Sequence, residues 1–192
     1  MTRVCVFCGS SRGNRPVYAD TARELGRLLG ERGIGLVYGG GRVGLMGIVA
    51  DAALESGAEV TGIITEQLNI AERAHTGVAA MHVERGMHER KAKMAQMSDG
   101  FIALPGGFGT LEELLEMTTW TQLTIHDKPC IAVNVDGYYD ALFAQFERGL
   151  QDGFIRAEHR IAVSQVATPA AALDAIAAWK TGMVKNPFAV LP

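Results

Sequence analysis

The stretch Pro105-Gly106-Gly107-Phe108-Gly109-Thr110-Leu111-Glu112-Glu113 carries the strongest chemical signal in the sequence. It follows the apolar run Phe101-Ile102-Ala103-Leu104 and opens a helical pattern. Glycines in such a turn let backbone amides approach a ligand closely and admit positive φ. Free amides at a helix start, aligned with the helix dipole, favour a phosphate. Thr110 either caps this helix or offers its hydroxyl to the same phosphate. No Gly-Lys-Ser/Thr follows, so the loop is not of the Walker type. Glu112 and Glu113 point about 100° apart on a helix, which predicts different partners for the two carboxylates. Glu113, beside the loop, is available to a bound sugar. Leu111, Leu114, Leu115 and Thr118 define the expected buried stripe, and Glu112 and Glu116 share an i, i+4 face.

A second segment, Gly86-Met87-His88-Glu89-Arg90-Lys91-Ala92-Lys93-Met94, places three cations near the start of a helix. The helix dipole disfavours them there. Either a site needs them or they form a solvated face. In a third, Gly39-Gly40-Gly41-Arg42-Val43-Gly44, the glycines satisfy G-x-G-x-x-G and Glu66 follows about twenty residues on. The match is formal, because a rival phosphate loop lies downstream. Close backbone approach or tight helix–strand packing explains these glycines better than a dinucleotide. Ser10 and Ser11 read as polar groups on the nucleotide edge or as plain turn residues. The five histidines show no metal spacing, no G-x-S-x-G elbow occurs, and Cys5 and Cys8 sit in an apolar run as core thiols. No metal and no cofactor are expected.

The elements that must hold these segments alternate. Apolar runs at Arg3–Cys8, Gly35–Tyr38, Glu59–Ile64, Ala79–Val83, Gly100–Leu104, Cys130–Val135 and Arg160–Val163 read as strands buried on both faces. Helical patterns fill the gaps at Pro16–Arg32, Val43–Ser56, Gly86–Met97, Thr110–Thr124, Tyr138–Asp152 and Pro169–Thr181. This is the pattern of an α/β protein with a Rossmann-like, doubly wound parallel sheet. The ligand is then expected beyond the carboxyl ends of the strands, where the glycine-rich turns fall. One domain over residues 1–182 is expected, with a tail at 183–192.

The composition agrees. The chain has 192 residues, 48% hydrophobic and 20% charged, with a net charge of −3. No basic excess supports nucleic-acid binding. No signal peptide and no apolar run of about 18 residues is read, so a cytoplasmic, membrane-free protein is expected. Three cysteines do not make a disulfide framework.

The phosphate loop ending on Glu113, Gly86 to Lys91, Val6-Phe7-Cys8-Gly9-Ser10-Ser11, Thr124 to Pro129 and Asn134 to Tyr139 together resemble the Lonely Guy (LOG) family. These are cytokinin riboside 5′-monophosphate phosphoribohydrolases, often labelled possible lysine decarboxylase. The likeness runs from the first strand to about Arg156. It implies a Rossmann-like fold, a homodimer with sites near the subunit interface, and no metal or redox cofactor. It implies hydrolysis of the N-glycosidic bond of an N6-substituted AMP, giving free base and ribose 5-phosphate. The family's substrate contacts fall on Glu72, Arg90, Lys91, the stretch Gly107, Phe108, Gly109, Thr110, Leu111, Glu112 and Glu113, and Thr119. Its catalytic pair falls on Arg90 and Glu113. The chemistry of Glu113 fits, since a carboxylate near C1′ can stabilise an oxocarbenium-like ribose and activate water. Arg90 keeps its proton at neutral pH, so it orients Glu113 or holds the phosphate and developing charge. Three rivals stand beside this reading: an AMP nucleosidase without N6 preference, a non-catalytic nucleotide-binding protein, and a PLP-dependent decarboxylase using Lys91, Lys93 or Lys128.

Overall fold

A computed structural model of the chain describes residues 2–69, 74–75 and 77–184. Seven strands form one sheet: β1 (Arg3–Phe7), β2 (Gly35–Tyr38), β3 (Val60–Thr65), β4 (Ala80–Glu84), β5 (Gly100–Ala103), β6 (Cys130–Val133) and β7 (Val163–Val166). Their spatial order is β4-β3-β2-β1-β5-β6-β7, and all six pairings are parallel. The helices are α1 (Pro16–Glu31), α2 (Gly44–Glu55), α3 (Met87–Gln96), α4 (Phe108–Gln122), α5 (Asp140–Gln151) and α6 (Pro169–Ala178).

Strand residues alternate between two cores, one on each face of the sheet. Val4, Val6, Leu36, Tyr38, Ile102 and Leu104 pack with Leu25 and Leu29 of α1, Val49 of α2 and Leu173 of α6. Cys5, Phe7, Val37, Ile63, Phe101 and Ala103 pack with Met94 of α3, Leu114 and Met117 of α4 and Phe143 of α5. The helices after β1 and β5 therefore lie on opposite faces, and the strand order reverses between these two strands. Such a switch point leaves a crevice at the carboxyl edge, where open α/β sheets bind ligands.

The expected elements are all present, with three corrections. The last strand is not Arg160–Val163. A 3-10 turn covers Ala157–Ala162 and the strand runs Val163–Val166. Arg160 holds that turn against α5 by donating to Glu147 Oε1 at 2.8 Å and to the Val163 carbonyl at 2.9 Å. The edge strands β4 and β7 are only partly buried, so burial on both faces holds for the five inner strands alone. Helix α4 starts at Phe108, two residues before Thr110, with Gly107 as its N-cap. Thr110 thus lies inside the helix and does not cap it. Cys5, Cys8 and Cys130 are buried free thiols, as the apolar context of the first two predicts. No helix among the described residues is long and apolar enough to cross a membrane. Most of the tail at 183–192 lies outside the described residues.

Candidate active site

The crevice between β1 and β5 is enclosed by two loops. Gly9 N donates to the Pro105 carbonyl at 3.0 Å, joining the loop after β1 to the loop after β5. Leu45 N donates to the Gly9 carbonyl at 2.9 Å, adding the start of α2. Tyr138 caps the far wall, its hydroxyl bonded to the Gly106 carbonyl at 2.5 Å and its ring edge-on to Tyr18. The enclosed cavity is about 290 Å³ and is lined by Ser10, Ser11, Arg12, Gly106, Gly107 and Tyr138, among others. Three helix N-termini border it, those of α1, α2 and α4, and none has a side-chain cap. Of the three, α1 opens on Pro16, which lacks an N–H, and the α2 amide of Leu45 is taken by Gly9, so the uncapped start of α4 is the one that offers amides to an anion.

The glycines of the phosphate loop work through space and not through positive φ. None of Gly106, Gly107 and Gly109 has positive φ, contrary to one of the two uses expected of them. A Cβ on Gly106 would lie 2.1 Å from Thr110 Oγ1 and 2.9 Å from Gly9 N, so the closed loop tolerates no side chain there. A Cβ on Gly107 or Gly109 would meet nothing within 4 Å, which leaves the outer face of the turn open.

A second cavity of about 400 Å³ touches the first at Ser10. Its lining is mostly apolar, with Val43, Met46, Ile64 and Leu68, and its charged member is Arg90. Arg90 and Lys91 are buried, at 7% and 4% exposure, so they are not a solvated face. Arg90 donates through Nε to the Ile63 carbonyl at 2.9 Å and through Nη1 to Glu113 Oε1 at 3.0 Å. Gly39 makes room for it, because a Cβ there would lie 2.4 Å from Nη2. At Gly39 the third glycine-rich segment thus serves close packing around Arg90, a use that its formal dinucleotide fingerprint did not indicate.

Glu113 is 9% exposed and lies on the buried stripe of α4 with Thr110, Leu114, Met117 and Thr121. The stripe is rotated from the expected one, and Leu115 is 39% exposed. Burial pushes the Glu113 carboxyl above its usual range, and the Arg90 guanidinium pulls it down without cancelling the effect. Glu113 stands behind Arg90 at the cavity wall. Glu112 takes the other direction, as the spacing predicted, and with Glu116 it grips Lys91. Burial works against the Lys91 ammonium, but the two carboxylates outweigh it and raise its pKa.

The structure brings together Arg90, Lys91, Gly107, Gly109, Thr110, Glu112 and Glu113. Phe108 is 93% exposed on the outer face of the turn, and Leu111 is half-buried. Thr119 is not brought in. It lies on the exposed side of α4, its hydroxyl bonded to the Leu115 carbonyl at 2.8 Å. Twelve residues of helix put it roughly 18 Å along the axis from Gly107. Glu72 lies outside the described residues. Sequence reasoning missed Arg12, Tyr18 and Tyr138 in the crevice wall. The signal available was the glycine pair Gly9 and Gly13 bracketing Ser10 to Arg12.

The family model described as "possible lysine decarboxylase" matches residues 46–176. The chain is 56% identical over 158 residues to a probable cytokinin riboside 5′-monophosphate phosphoribohydrolase of Oryza sativa subsp. japonica, covering 82% of this chain and 71% of that one. It is 52% identical over 153 residues to a cytokinin riboside 5′-monophosphate phosphoribohydrolase of Arabidopsis thaliana, covering 80% and 72%. Among solved structures, a molybdenum cofactor binding protein from the phototrophic bacterium Rippkaea orientalis superposes with a TM-score of 0.70 at 23% identity, over 92% of this chain and 95% of that one. That likeness is one of fold.

Proposed function

The chain belongs to the LOG family, and from that premise we propose that it hydrolyses the N-glycosidic bond of N6-substituted adenosine 5′-monophosphates, releasing the base and ribose 5-phosphate. One observation carries the reading at the level of the site: Arg90, paired with the buried Glu113, lines an apolar cavity that adjoins the glycine-walled crevice at Ser10. The 5′-phosphate takes the amides of Gly107 to Thr110, and its binding energy fixes C1′ beside the pair. The base occupies the second cavity, where Val43, Met46, Ile64 and Leu68 suit an apolar N6 group. As the glycosidic bond breaks, its electron pair leaves with the base, which takes up a proton from solvent. The ribose gains positive charge, which the Glu113 carboxylate stabilises while it takes a proton from the water that attacks C1′. Arg90 uses Glu113 Oε1 and leaves Oε2 for this work. The guanidinium keeps its proton, so its role is to hold and orient the carboxylate.

The decarboxylase reading draws no support from the lysine at the site. A Schiff-base lysine needs a lowered pKa to be nucleophilic, whereas Lys91 is held as a cation by two carboxylates. Burial does lower the Lys128 pKa, but its ammonium is spent on the Ala95 carbonyl at 2.7 Å and it lines a different cavity, with Trp120 and His126.

The homodimer also belongs to this proposal. Phe108 and Leu115 are exposed one i, i+7 step apart on α4, and Thr119 continues the same side. A second copy seated there covers the apolar face and brings Thr119 to a neighbouring site that its own chain cannot reach.

The test is a substrate panel: N6-isopentenyladenosine 5′-monophosphate, AMP and the isopentenyl riboside, with free base as the readout. The prenylated nucleotide is expected to turn over fastest and the riboside least. Equal kcat/KM for AMP and the prenylated nucleotide would replace this reading by an unselective nucleosidase. The pH profile gives a further prediction. The reaction needs ionised Glu113, so kcat/KM falls as pH drops through its raised pKa. The acidic limb should lie above about 4.3, the ordinary glutamate value. A profile flat down to that value would contradict the role given to Glu113.

A further inference from the structure

The cations that the site motifs supply are already engaged. Arg90 is bound to Glu113, and Lys91 lies between Glu112 and Glu116. Three carboxyl groups face these two cations, so the cluster has no cation to spare for a phosphate dianion entering the adjoining crevice, which needs one of its own.

The crevice wall contains one. Arg12 is the charged side chain among its lining residues. It is exposed, and it has no hydrogen bond or ion pair among the described residues. The loop that carries it is fixed at several points. Gly9 is bonded to both Pro105 and Leu45, and Gly13 N donates to Ser11 Oγ at 3.3 Å. Gly44, at φ +66°, lets α2 abut this loop, since a Cβ there would lie 2.3 Å from the Ser10 carbonyl carbon. Neighbouring Arg15 is tied to Asp136 and is not available in the same way.

We propose that Arg12 is the cation that receives the substrate's 5′-phosphate, opposite the α4 amides, and that it sets the preference for nucleotides over nucleosides. The inference rests on the phosphoribohydrolase reading and adds to it a residue outside the family motifs. An arginine fork binds phosphate with two parallel hydrogen bonds, which a lysine reproduces only as a point charge.

The experiment compares wild type, Arg12→Lys and Arg12→Ala. It measures KM and kcat for N6-isopentenyladenosine 5′-monophosphate, KM for its riboside, and the calorimetric Kd of AMP. A charge-assisted hydrogen bond lost from the phosphate raises KM and the AMP Kd by about 10–100-fold in the alanine variant. The riboside KM stays constant, the larger loss falls on KM because the α4 amides still anchor the phosphate and fix C1′, and lysine restores part of the loss. An unchanged AMP Kd in Arg12→Ala overturns the proposal, as does a loss confined to kcat. A wild-type protein that binds AMP and releases no base sinks the hydrolase reading, while the AMP Kd series still decides the part played by Arg12.

Discussion

Replacing Glu113 by glutamine is expected to lower kcat by about 10²–10⁴-fold, the range for removing a positioned general base, and to lower the thermal midpoint by less than Arg90→Ala does. The two halves have different causes. Glutamine keeps the size of the side chain and can still accept the bond from Arg90 Nη1, so the packing of α4 against α3 persists. What it lacks is the charge that water activation and the oxocarbenium-like ribose require. The stability half starts from the raised pKa of the acid. A carboxyl whose folded pKa lies above its unfolded one stabilises the fold only while protonated, and that contribution is lost as pH rises through the folded pKa. The amide removes a carboxyl whose ionised form burial disfavours, but it also leaves the buried Arg90 guanidinium with a neutral acceptor in place of a carboxylate, so the two effects oppose each other. A Gln variant with wild-type turnover would remove Glu113 from the chemistry. One that loses activity together with a sharply lower thermal midpoint would show the carboxylate to be structural.

Arg90→Ala is expected to act on both quantities at once. Arg90 ties the Ile63 carbonyl at the end of β3 to Glu113 on α4, and its side chain is almost wholly buried. Removing one partner of a buried pair leaves the other uncompensated and costs about 3–5 kcal/mol. With the guanidinium gone, burial acts on Glu113 unopposed and the carboxyl takes up a proton at higher pH. The variant should lose activity at neutral pH more than about 100-fold, since both the orientation of the base and its ionisation suffer. The double variant Arg90→Ala, Glu113→Gln should recover part of the lost stability, because no buried carboxylate remains to be desolvated. Chemical denaturation of the four proteins measures the coupling. Additive losses would mean that the two side chains do not interact in the way their 3.0 Å contact implies.

Much of this was legible in the chain. The alternation of apolar runs with helical patterns specified the doubly wound sheet, because strands buried on both faces leave an unmistakable signature. The glycine-rich turn from β5 into α4 was legible because three glycines between a strand and a helix mark a close approach of the backbone. The adjacent glutamates were correctly assigned to different partners from helix geometry alone.

What escaped the sequence has physical reasons. The buried stripe of α4 was misplaced because apolarity was used to locate it, and the true stripe contains Glu113 and two threonines. A carboxylate enters a core only with a partner such as Arg90, which comes from 23 residues away in the chain. The strand Val163–Val166 was misread because an edge strand can expose polar residues, here the adjacent Ser164 and Gln165, on both faces. The same applies to Arg12. Its place in the crevice depends on the closure of the β1 loop onto the β5 loop, a contact between residues nearly a hundred positions apart. Thr119 shows the opposite case, a residue named by resemblance that a single copy of the fold keeps away from the site.

The most direct test of the central claim is a single-turnover comparison of wild type and Glu113→Gln with N6-isopentenyladenosine 5′-monophosphate. Kd is taken from calorimetry and the rate from free base released. The account predicts Kd values within about threefold of each other and base release slower by about 10²–10⁴-fold in the variant. Equal rates of release from the two proteins, or a wild-type protein that binds the nucleotide and releases no base, would contradict it.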